Sequence, residues 1–294
     1  MRLRQTVNGR FVLREKLGEG SGGHLFEAFD TYEQNSVAVK YLGRRTFESD
    51  SYFDGFVQDL EHEASLLREF SGIRGIPDFV DEGKDADGTP FIVMKRIHGV
   101  TLRDYIERGN KPMEVETAVS LVAQLCEILG DLHDRGYAHR DVKPENTMID
   151  SSGEVYLVDF GAVWKVGERP EFAAGTNRYA APEQADDSLV APSADVFPLG
   201  CMLVEMTTLK LPYPENYLMF VHQGAPPPEP ALTLLAPNLV PVVSQMVAWD
   251  PGRRLQDGRA VFQGLRKFLP VEGAPPDCKI LGPDPTMKYR KKSG

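Results

Sequence analysis

The stretch Tyr137-Ala138-His139-Arg140-Asp141-Val142-Lys143-Pro144-Glu145-Asn146, followed by Val158-Asp159-Phe160-Gly161, constrains this chain most. It sets carboxylates, an amide, an ammonium and a guanidinium within a short span. Between its two parts, Met148 and Ile149, then Asp150-Ser151-Ser152-Gly153, then Val155 to Val158 read as strand, turn, strand. Such a hairpin turns the chain back on itself, so Asp141 and Asn146 at its start are expected near Asp159 at its end. Carboxylate and amide oxygens converging on one point suit a hard cation such as Mg²⁺, which takes oxygen ligands and keeps sites for phosphate. A polar loop with an internal salt bridge is the bland alternative.

The chain has 294 residues, enough for one large domain or two lobes sharing a cleft. Its formal charge of −10 argues against a nucleic-acid-binding surface, and its 41% hydrophobic and 26% charged residues fit a soluble globular protein. Cys126, Cys201 and Cys278 are far apart and give neither zinc spacing nor a disulfide framework, which points to a reducing cytoplasm. Cys126 and Cys201 lie in apolar helical runs as core residues. The start, Met1-Arg2-Leu3-Arg4-Gln5, has no apolar signal region, and no run approaches ~18 apolar residues, so no membrane span is expected.

Phe11–Arg14 and Leu25–Phe29 read as strands around Gly18, Gly20, Gly22 and Gly23. Glycine lets a backbone approach a ligand closely and bend freely. A Gly-x-Gly-x-x-Gly run alone also suits a plain hairpin turn. A dinucleotide fold would place a helix after the last glycine, whereas here a strand follows. Along Val37–Tyr41, Val37, Val39 and Tyr41 face one side and Ala38 and Lys40 the other. A small Ala beside a Lys suits a flat adenine ring with phosphate beyond it. From Phe53 to Phe70, Phe56, Leu60, Leu67 and Phe70 mark an apolar helical stripe with Glu63 in its middle. A carboxylate there needs a partner, and Lys40 is the natural one. Glu61 points off the stripe and is solvated. Leu42–Asp59, with Thr46, Ser49 and Ser51, reads as a surface insertion. Gly75–Gly83 and Pro90–Met94 read as two more strands around the turn-rich Lys84–Gly88.

In order and spacing these motifs resemble the Hanks-type serine/threonine protein kinases, in a bacterial-looking style, over roughly residues 10–270. The resemblance implies an α+β bilobal fold. Residues 1–10 would be an extension and 11–94 a small lobe with a five-stranded antiparallel sheet and one main helix. A hinge would follow at 95–99, a helical lobe at 100–270 and a tail at 271–294. It further implies transfer of the ATP γ-phosphoryl group to Ser/Thr hydroxyls of protein substrates, with Mg²⁺, or alternatively Mn²⁺, as cofactor. Asp141 would orient the hydroxyl and accept its proton, and Lys143 would touch the γ-phosphate. Asn146 and Asp159 would hold the metal. Lys40 would grip the phosphates, with Glu63 positioning it. Gly18, Gly20, Gly23 and Leu25 match the glycine-rich lid. Ala38, Met94 as gatekeeper, Lys95, Arg96, Ile97 and Met148 would contact the nucleotide, the hinge chiefly through its backbone. The resemblance makes His139 a packing residue under the loop and not a base.

Further on, Val115, Ala118, Val119, Val122, Leu125, Leu129 and Leu132 form a helical stripe stopped by Gly136, with His133 as a satisfied core or capping residue. The loop after Gly161 ends in Gly175-Thr176 and Ala181-Pro182-Glu183, and a long loop in a compact domain is usually functional. It resembles the activation and substrate-docking segment, with Thr176 bridging to Asp141 beside Lys143. From Ala162 to Gly175 it contains no Ser, Thr or Tyr, while Glu168 and Glu171 offer fixed charges for Arg140 or a neighbouring cation, the alternative being that both are solvated and packing alone holds the loop. Asp195–Met206 is apolar nearly all round, as in a buried helix; if Asp195 opens it, Pro198 falls in the first turn, where its missing N–H is harmless. Residues 211–241 are proline-rich and read as loops between short helices. Arg254, in Trp249-Asp250-Pro251-Gly252-Arg253-Arg254, would pair with Glu183. The basic tail has no assigned role. A pseudokinase scaffold is the rival reading; such proteins lack one of these groups, and none is missing here. Expected partners are ATP and protein substrates, not nucleic acid or a membrane.

Overall fold

Alternation along the N-terminal strands builds a sheet with two unlike faces. The computed structural model describes residues 5–20, 23–41, 50–85, 88–170, 178–185, 188–225, 227–275 and 282–291, the side chains of 50–54 and 56 excepted. The chain divides into two compact units, Met1–His98 with Asp159–Gly161 and Gly99–Val158 with Ala162–Gly294.

The first unit contains β1 (Thr6–Val7), β2 (Phe11–Gly20), β3 (Gly23–Asp30), β4 (Asn35–Tyr41), helix α1 (Asp50–Glu69), β5 (Phe79–Lys84) and β6 (Pro90–Lys95). The strands form one antiparallel sheet in the order β1-β2-β3-β4-β6-β5. On one face Val37, Val39 and Tyr41 join Phe11, Leu13, Phe26, Phe91 and Val93 in a buried core. Each large apolar side chain so buried stabilises by roughly 1.5–3 kcal/mol. The pairs Leu25–Lys40, Ala38–Met94 and Lys40–Ile92 place those residues on the opposite face.

This sheet has one strand more than expected. Thr6 and Val7 pair with Val12 and Phe11, and so short a strand shows no alternation for a sequence pattern to catch. Helix α1 begins at Asp50, earlier than the expected Phe53, so the second half of Leu42–Asp59 is helical. Acidic and hydroxyl residues are favoured at helix N-termini, so the polar Asp50-Ser51 marks a helix start. Residues 42–49, with Thr46 and Ser49, lie outside the described residues. Leu60, Ala64 and Leu67 on α1 and Phe70 just after it are buried, and the helix packs against β5 and β6. Strand β5 starts only at Phe79, after Pro77, which lacks a ladder donor.

The second unit opens with β7 (Gly99–Thr101), α2 (Leu102–Gly109) and α3 (Val115–Asp134). Next come β8 (Tyr137–Ala138), β9 (Thr147–Asp150), β10 (Val155–Leu157) and β11 (Trp164–Lys165), then α4 (Ser193–Thr208), α5 (Leu218–His222), α6 (Val240–Met246), α7 (Gly258–Leu265) and α8 (Met287–Arg290). The β9–β10 hairpin extends to β7, and β11 pairs with β8. Gly99 lets β7 lie close to β9, since a Cβ there would sit 2.2 Å from the Ile149 carbonyl oxygen. Helix α3 is buried along most of its length and ends where Gly136, at φ 81°, donates to the His133 carbonyl.

Helix α4 begins at Ser193, so Pro198 lies inside it and not in its first turn. The missing N–H removes a bond that the Ala194 carbonyl would accept. Tight turns start the helix early, as Ala194 N–H donates to Ala191 O and Asp195 N–H to Pro192 O. The proline-rich region is mostly irregular around α5, and Pro241 sits in the first turn of α6. The described tail residues pack on α3. Tyr289 and Lys288 bond Glu127, and Arg290 bonds Glu116. Gln124, buried mid-helix, donates to Gly153 O and Pro285 O and accepts the Val155 N–H. Among the described residues no helix is long and apolar enough to cross a membrane.

Candidate active site

In the first unit, strand alternation aims Lys40 away from the core face, and the helical stripe turns Glu63 inward. Lys40 Nζ donates to Glu63 Oε2 at 2.6 Å and to Asp159 Oδ1 at 3.0 Å. Glu63 is 3% exposed, whereas the Asp159 side chain is 46% exposed, so the second carboxylate stays open to further partners. Burial pulls the Lys40 pKa down; the charges of Glu63 and Asp159 more than reverse this and hold it above the ordinary lysine range. Burial pushes the Glu63 carboxyl upward against the pull of Lys40. Glu63 Oε1 also accepts the Phe160 N–H at 3.4 Å, and the Phe160 ring lies 6.1 Å from Phe70. Helix α1 thus fastens the Asp159-Phe160-Gly161 segment. Asp159 adopts φ 68°, a left-handed conformation that non-glycine residues keep mainly at constrained, functional positions.

Gly18 faces Leu25 and Gly20 faces Gly23 across β2 and β3, and Gly23 takes φ 105°. Ser21 and Gly22 lie outside the described residues. Ala38 and Met94 are buried neighbours in register. Lys95 is exposed, Ile97 is half-buried, and Arg96 forms ion pairs with Glu27 and Glu15.

In the second unit, Asp195 accepts the backbone N–H of His139 and of Arg140, each at 2.7 Å. His133 Nε2 lies 2.9 Å from Asp195 Oδ2, and its Nδ1 accepts the Gly258 N–H at 3.2 Å, which assigns the ring proton to Nε2. Burial pushes the Asp195 carboxyl up; the His133 hydrogen bond, the neighbouring imidazoles and the Arg140 N–H outweigh it and hold the pKa below the ordinary range. His139 is fully buried, and its Nδ1 accepts the Asp141 N–H at 3.3 Å.

Asp141 Oδ2 accepts from Lys143 Nζ at 2.6 Å and from Asn146 Nδ2 at 2.8 Å. Asn146 Nδ2 also donates to Asp141 O at 3.0 Å, so both of these hydrogen bonds use the amide nitrogen and Oδ1 is the acceptor end of the amide. The Val158 N–H donates to Asn146 O at 2.8 Å, closing the hairpin. Asp141 and Asn146 group with the second unit and Asp159 with the first. Among the described residues no three or more His, Cys, Asp or Glu form a metal cage. Taken singly, the amide oxygen of Asn146 and the carboxylate of Asp159 are each a donor type that hard cations take. Met148 lies in β9, paired with Tyr156 and Thr101.

Glu183 and Arg254 form a two-point pair at 2.7 and 3.0 Å, and the Arg254 side chain is fully buried. Gln184, beside Glu183, donates to Arg140 O at 2.8 Å. Thr176 and Glu171 lie outside the described residues. Glu168 is exposed. The Arg140 guanidinium donates to Ala162 O at 3.2 Å.

Residues 11–262 match the family profile described as Protein kinase domain. The chain belongs to the protein kinase family. This kinase is 30% identical over 287 residues to serine/threonine-protein kinase PknB of Mycobacterium tuberculosis, covering 94% of this chain and 45% of that protein. It is 30% identical over 288 residues to PknA of the same species, covering 92% of this chain and 65% of the relative. Against the probable serine/threonine-protein kinase PknB of Corynebacterium glutamicum the identity is 30% over 279 residues, covering 90% and 43%. The kinase spans about half the length of the PknB proteins that it matches.

Arg103, Tyr179 and Glu205 escape the motif reading, although together they form a buried network in the kinase's second unit. One signal was present. Glu205 is a carboxylate in an apolar run, and the argument that finds a partner for Glu63 applies to it equally.

Proposed function

We propose that this kinase transfers the γ-phosphoryl group of ATP to serine and threonine hydroxyls of protein substrates. The observation that carries this is the Asp141 carboxylate, held at one oxygen by Lys143 at 2.6 Å and Asn146 at 2.8 Å. A carboxylate fixed in this way can align an aliphatic hydroxyl and take its proton as the oxygen bonds to the γ-phosphorus and the bond to the β-phosphate oxygen breaks. Lys143 meets the charge of the transferred group. Lys40 grips the nucleotide phosphates, and Glu63 keeps Lys40 in place. Gly18, Gly20 and Gly23 let the backbone approach phosphate. Leu25, Ala38 and Met94, and in the second unit Met148, contact adenine, and the backbone of Lys95, Arg96 and Ile97 supplies its hydrogen bonds. Asn146 and Asp159 each offer an oxygen ligand. Mg²⁺, or alternatively Mn²⁺, neutralises phosphate charge when bound. Thr176 bridges toward Asp141, while Asp195 and the Glu183–Arg254 pair hold the loops. The protein contributes mainly positioning and charge stabilisation. The proposed compartment is the cytoplasm, where ATP is available; the buried free thiols Cys126 and Cys201 support this.

The test is incubation of the purified chain with Mg²⁺, labelled ATP and a generic protein acceptor. Wild type is expected to transfer phosphate, and Asp141→Asn to bind ATP without transferring it. Wild type and variant that both bind ATP and both fail to transfer would make the protein a nucleotide-responsive scaffold.

A further inference from the structure

Arg103 stands in the first turn of α2 and joins parts of the second unit that are far apart in sequence. Its Nε donates to Glu145 Oε1 at 2.9 Å, its Nη1 to Glu205 Oε1 at 2.9 Å, and its Nη2 to the Tyr179 hydroxyl. The Tyr179 hydroxyl in turn donates to Glu205 Oε2 at 2.6 Å. Tyr179 is 1% and Glu205 7% exposed. Burial pulls the Arg103 pKa down, and the hydrogen bonds to Glu205 and Glu145 more than offset this, so it lies above the ordinary arginine value.

Glu145 is the middle residue of the short turn Pro144–Asn146. Lys143 before the turn and Asn146 at its end both donate to Asp141. Helix α4 therefore holds this loop at two points. Asp195 takes the amides of His139 and Arg140 directly. About 15 Å further along the helix, at ~1.5 Å per residue, Glu205 reaches Glu145 through Arg103. Tyr179 leads into Ala181-Pro182-Glu183, so the same guanidinium also fixes the segment that we propose docks substrate.

We propose that Arg103 is a positioning residue for phosphoryl transfer: acting through Glu145, it sets the Lys143–Asn146 turn, and with it Asp141, relative to the Tyr179 segment. This rests on the kinase activity proposed above. A lysine cannot replace it, because one ammonium cannot address three partners as a planar fork does. Nor is a merely stabilising surface bridge an equal account. The Glu145 side chain is 45% exposed, and such pairs add little to stability, so an effect on turnover with an unchanged melting point separates the two roles.

The experiment compares wild type, Arg103→Lys, Glu145→Gln and the double variant, with labelled ATP and one protein acceptor. Glu145→Gln is expected to lower kcat about 3- to 10-fold, leaving the KM for ATP and the melting midpoint near wild type. Arg103→Lys should lower kcat about 10- to 30-fold, and the double variant should be no worse than Arg103→Lys, as for residues acting in series. By hydrogen exchange, the amides of Asn146 and Val158 should be less protected in each variant. If Arg103→Lys does not fold, Glu145→Gln still decides. Kcat within about twofold of wild type in Glu145→Gln, or losses that multiply in the double variant, overturn the inference alone while wild type remains active. A wild type that binds ATP and transfers no phosphate overturns the functional reading and this inference with it.

Discussion

The carboxylate of Asp195 takes the backbone N–H of Arg140 on Oδ1 and that of His139 on Oδ2, each at 2.7 Å. A single buried side chain thereby fixes two consecutive peptides immediately before Asp141. Arg140 itself adopts φ 65°, a conformation that a non-glycine residue holds only when its surroundings enforce it.

Removing that charge should destabilise the kinase and make its stability depend on pH. The folded-state pKa of Asp195 lies below its ordinary value, and an unfolded Asp titrates near ~3.9. The stabilisation is therefore complete above about pH 4 and is lost as pH falls through the lower folded-state value. Asp195→Asn is expected to cost about 3 kcal/mol at pH 7, with the gap to wild type narrowing in acid. Urea midpoints across roughly pH 3 to 7, the window of carboxylate titration, check this. Equal midpoints at neutral pH would contradict it.

The buried Glu63 carboxylate has Lys40 as its cation, whereas Lys40 has both Glu63 and Asp159. Lys40→Met leaves the buried Glu63 carboxylate without its cation, and protonation of Glu63 relieves the cost. Phosphate transfer should fall by about 10²- to 10³-fold, the scale for removing one preorganised charge donor. Glu63→Gln should fall less, because Asp159 still meets Lys40. Initial rates at saturating acceptor, alongside circular dichroism to confirm folding, give the comparison. A Glu63→Gln enzyme slower than Lys40→Met would reverse the assignment.

The Glu183–Arg254 pair is asymmetric. Arg254 also donates to the carbonyls of Ser193, Ala248 and Trp249, whereas Glu183 is 13% exposed at its side chain. Arg254→Ala should therefore cost about 3–5 kcal/mol, the range for breaking a buried ion pair. Glu183→Gln keeps an acceptor for Arg254 and should cost clearly less. Thermal unfolding of both variants tests the order, and equal losses would refute it.

Much of this was legible because the decisive residues break a local pattern. Glu63 interrupts an apolar stripe, Lys40 takes the polar side of an alternating strand, and Gly23 stands where the backbone needs a positive φ. The antiparallel sheet and the helical unit follow from the same periodicities. What escaped had no period to show. Strand β1 is too short to alternate. The polar start of α1 resembles a loop because helix N-termini favour loop-like residues. The tail holds α3 through Lys288, Tyr289 and Arg290, whose partners Glu127 and Glu116 lie far away in sequence. Arg103 escaped for the same reason, since all its partners are non-local.

Many kinases with an arginine before the catalytic aspartate order their activation loop by phosphorylating it, and the phosphate pairs with that arginine. From Ala162 to Gly175 this chain offers no Ser, Thr or Tyr to modify. The start of the loop is instead held by backbone bonds. Trp164 and Lys165 pair with Ala138 and Tyr137, and the Val166 N–H donates to Gly136 O. Gly167 N–H donates to Val190 O, and Val190 N–H to Glu168 O. The Arg140 guanidinium donates to the Ala162 carbonyl at 3.2 Å. These contacts need no phosphate, and Glu168 is exposed, while Glu171 lies outside the described residues. We therefore predict that phosphatase-treated kinase is active from the first turnover, with no lag. Glu168→Lys should keep kcat within about twofold of wild type, as for a surface change away from the reacting groups. Progress curves on dephosphorylated protein, with phosphate incorporation followed by mass spectrometry, decide the matter. A lag that tracks modification of Thr176 would show that control by loop phosphorylation operates after all.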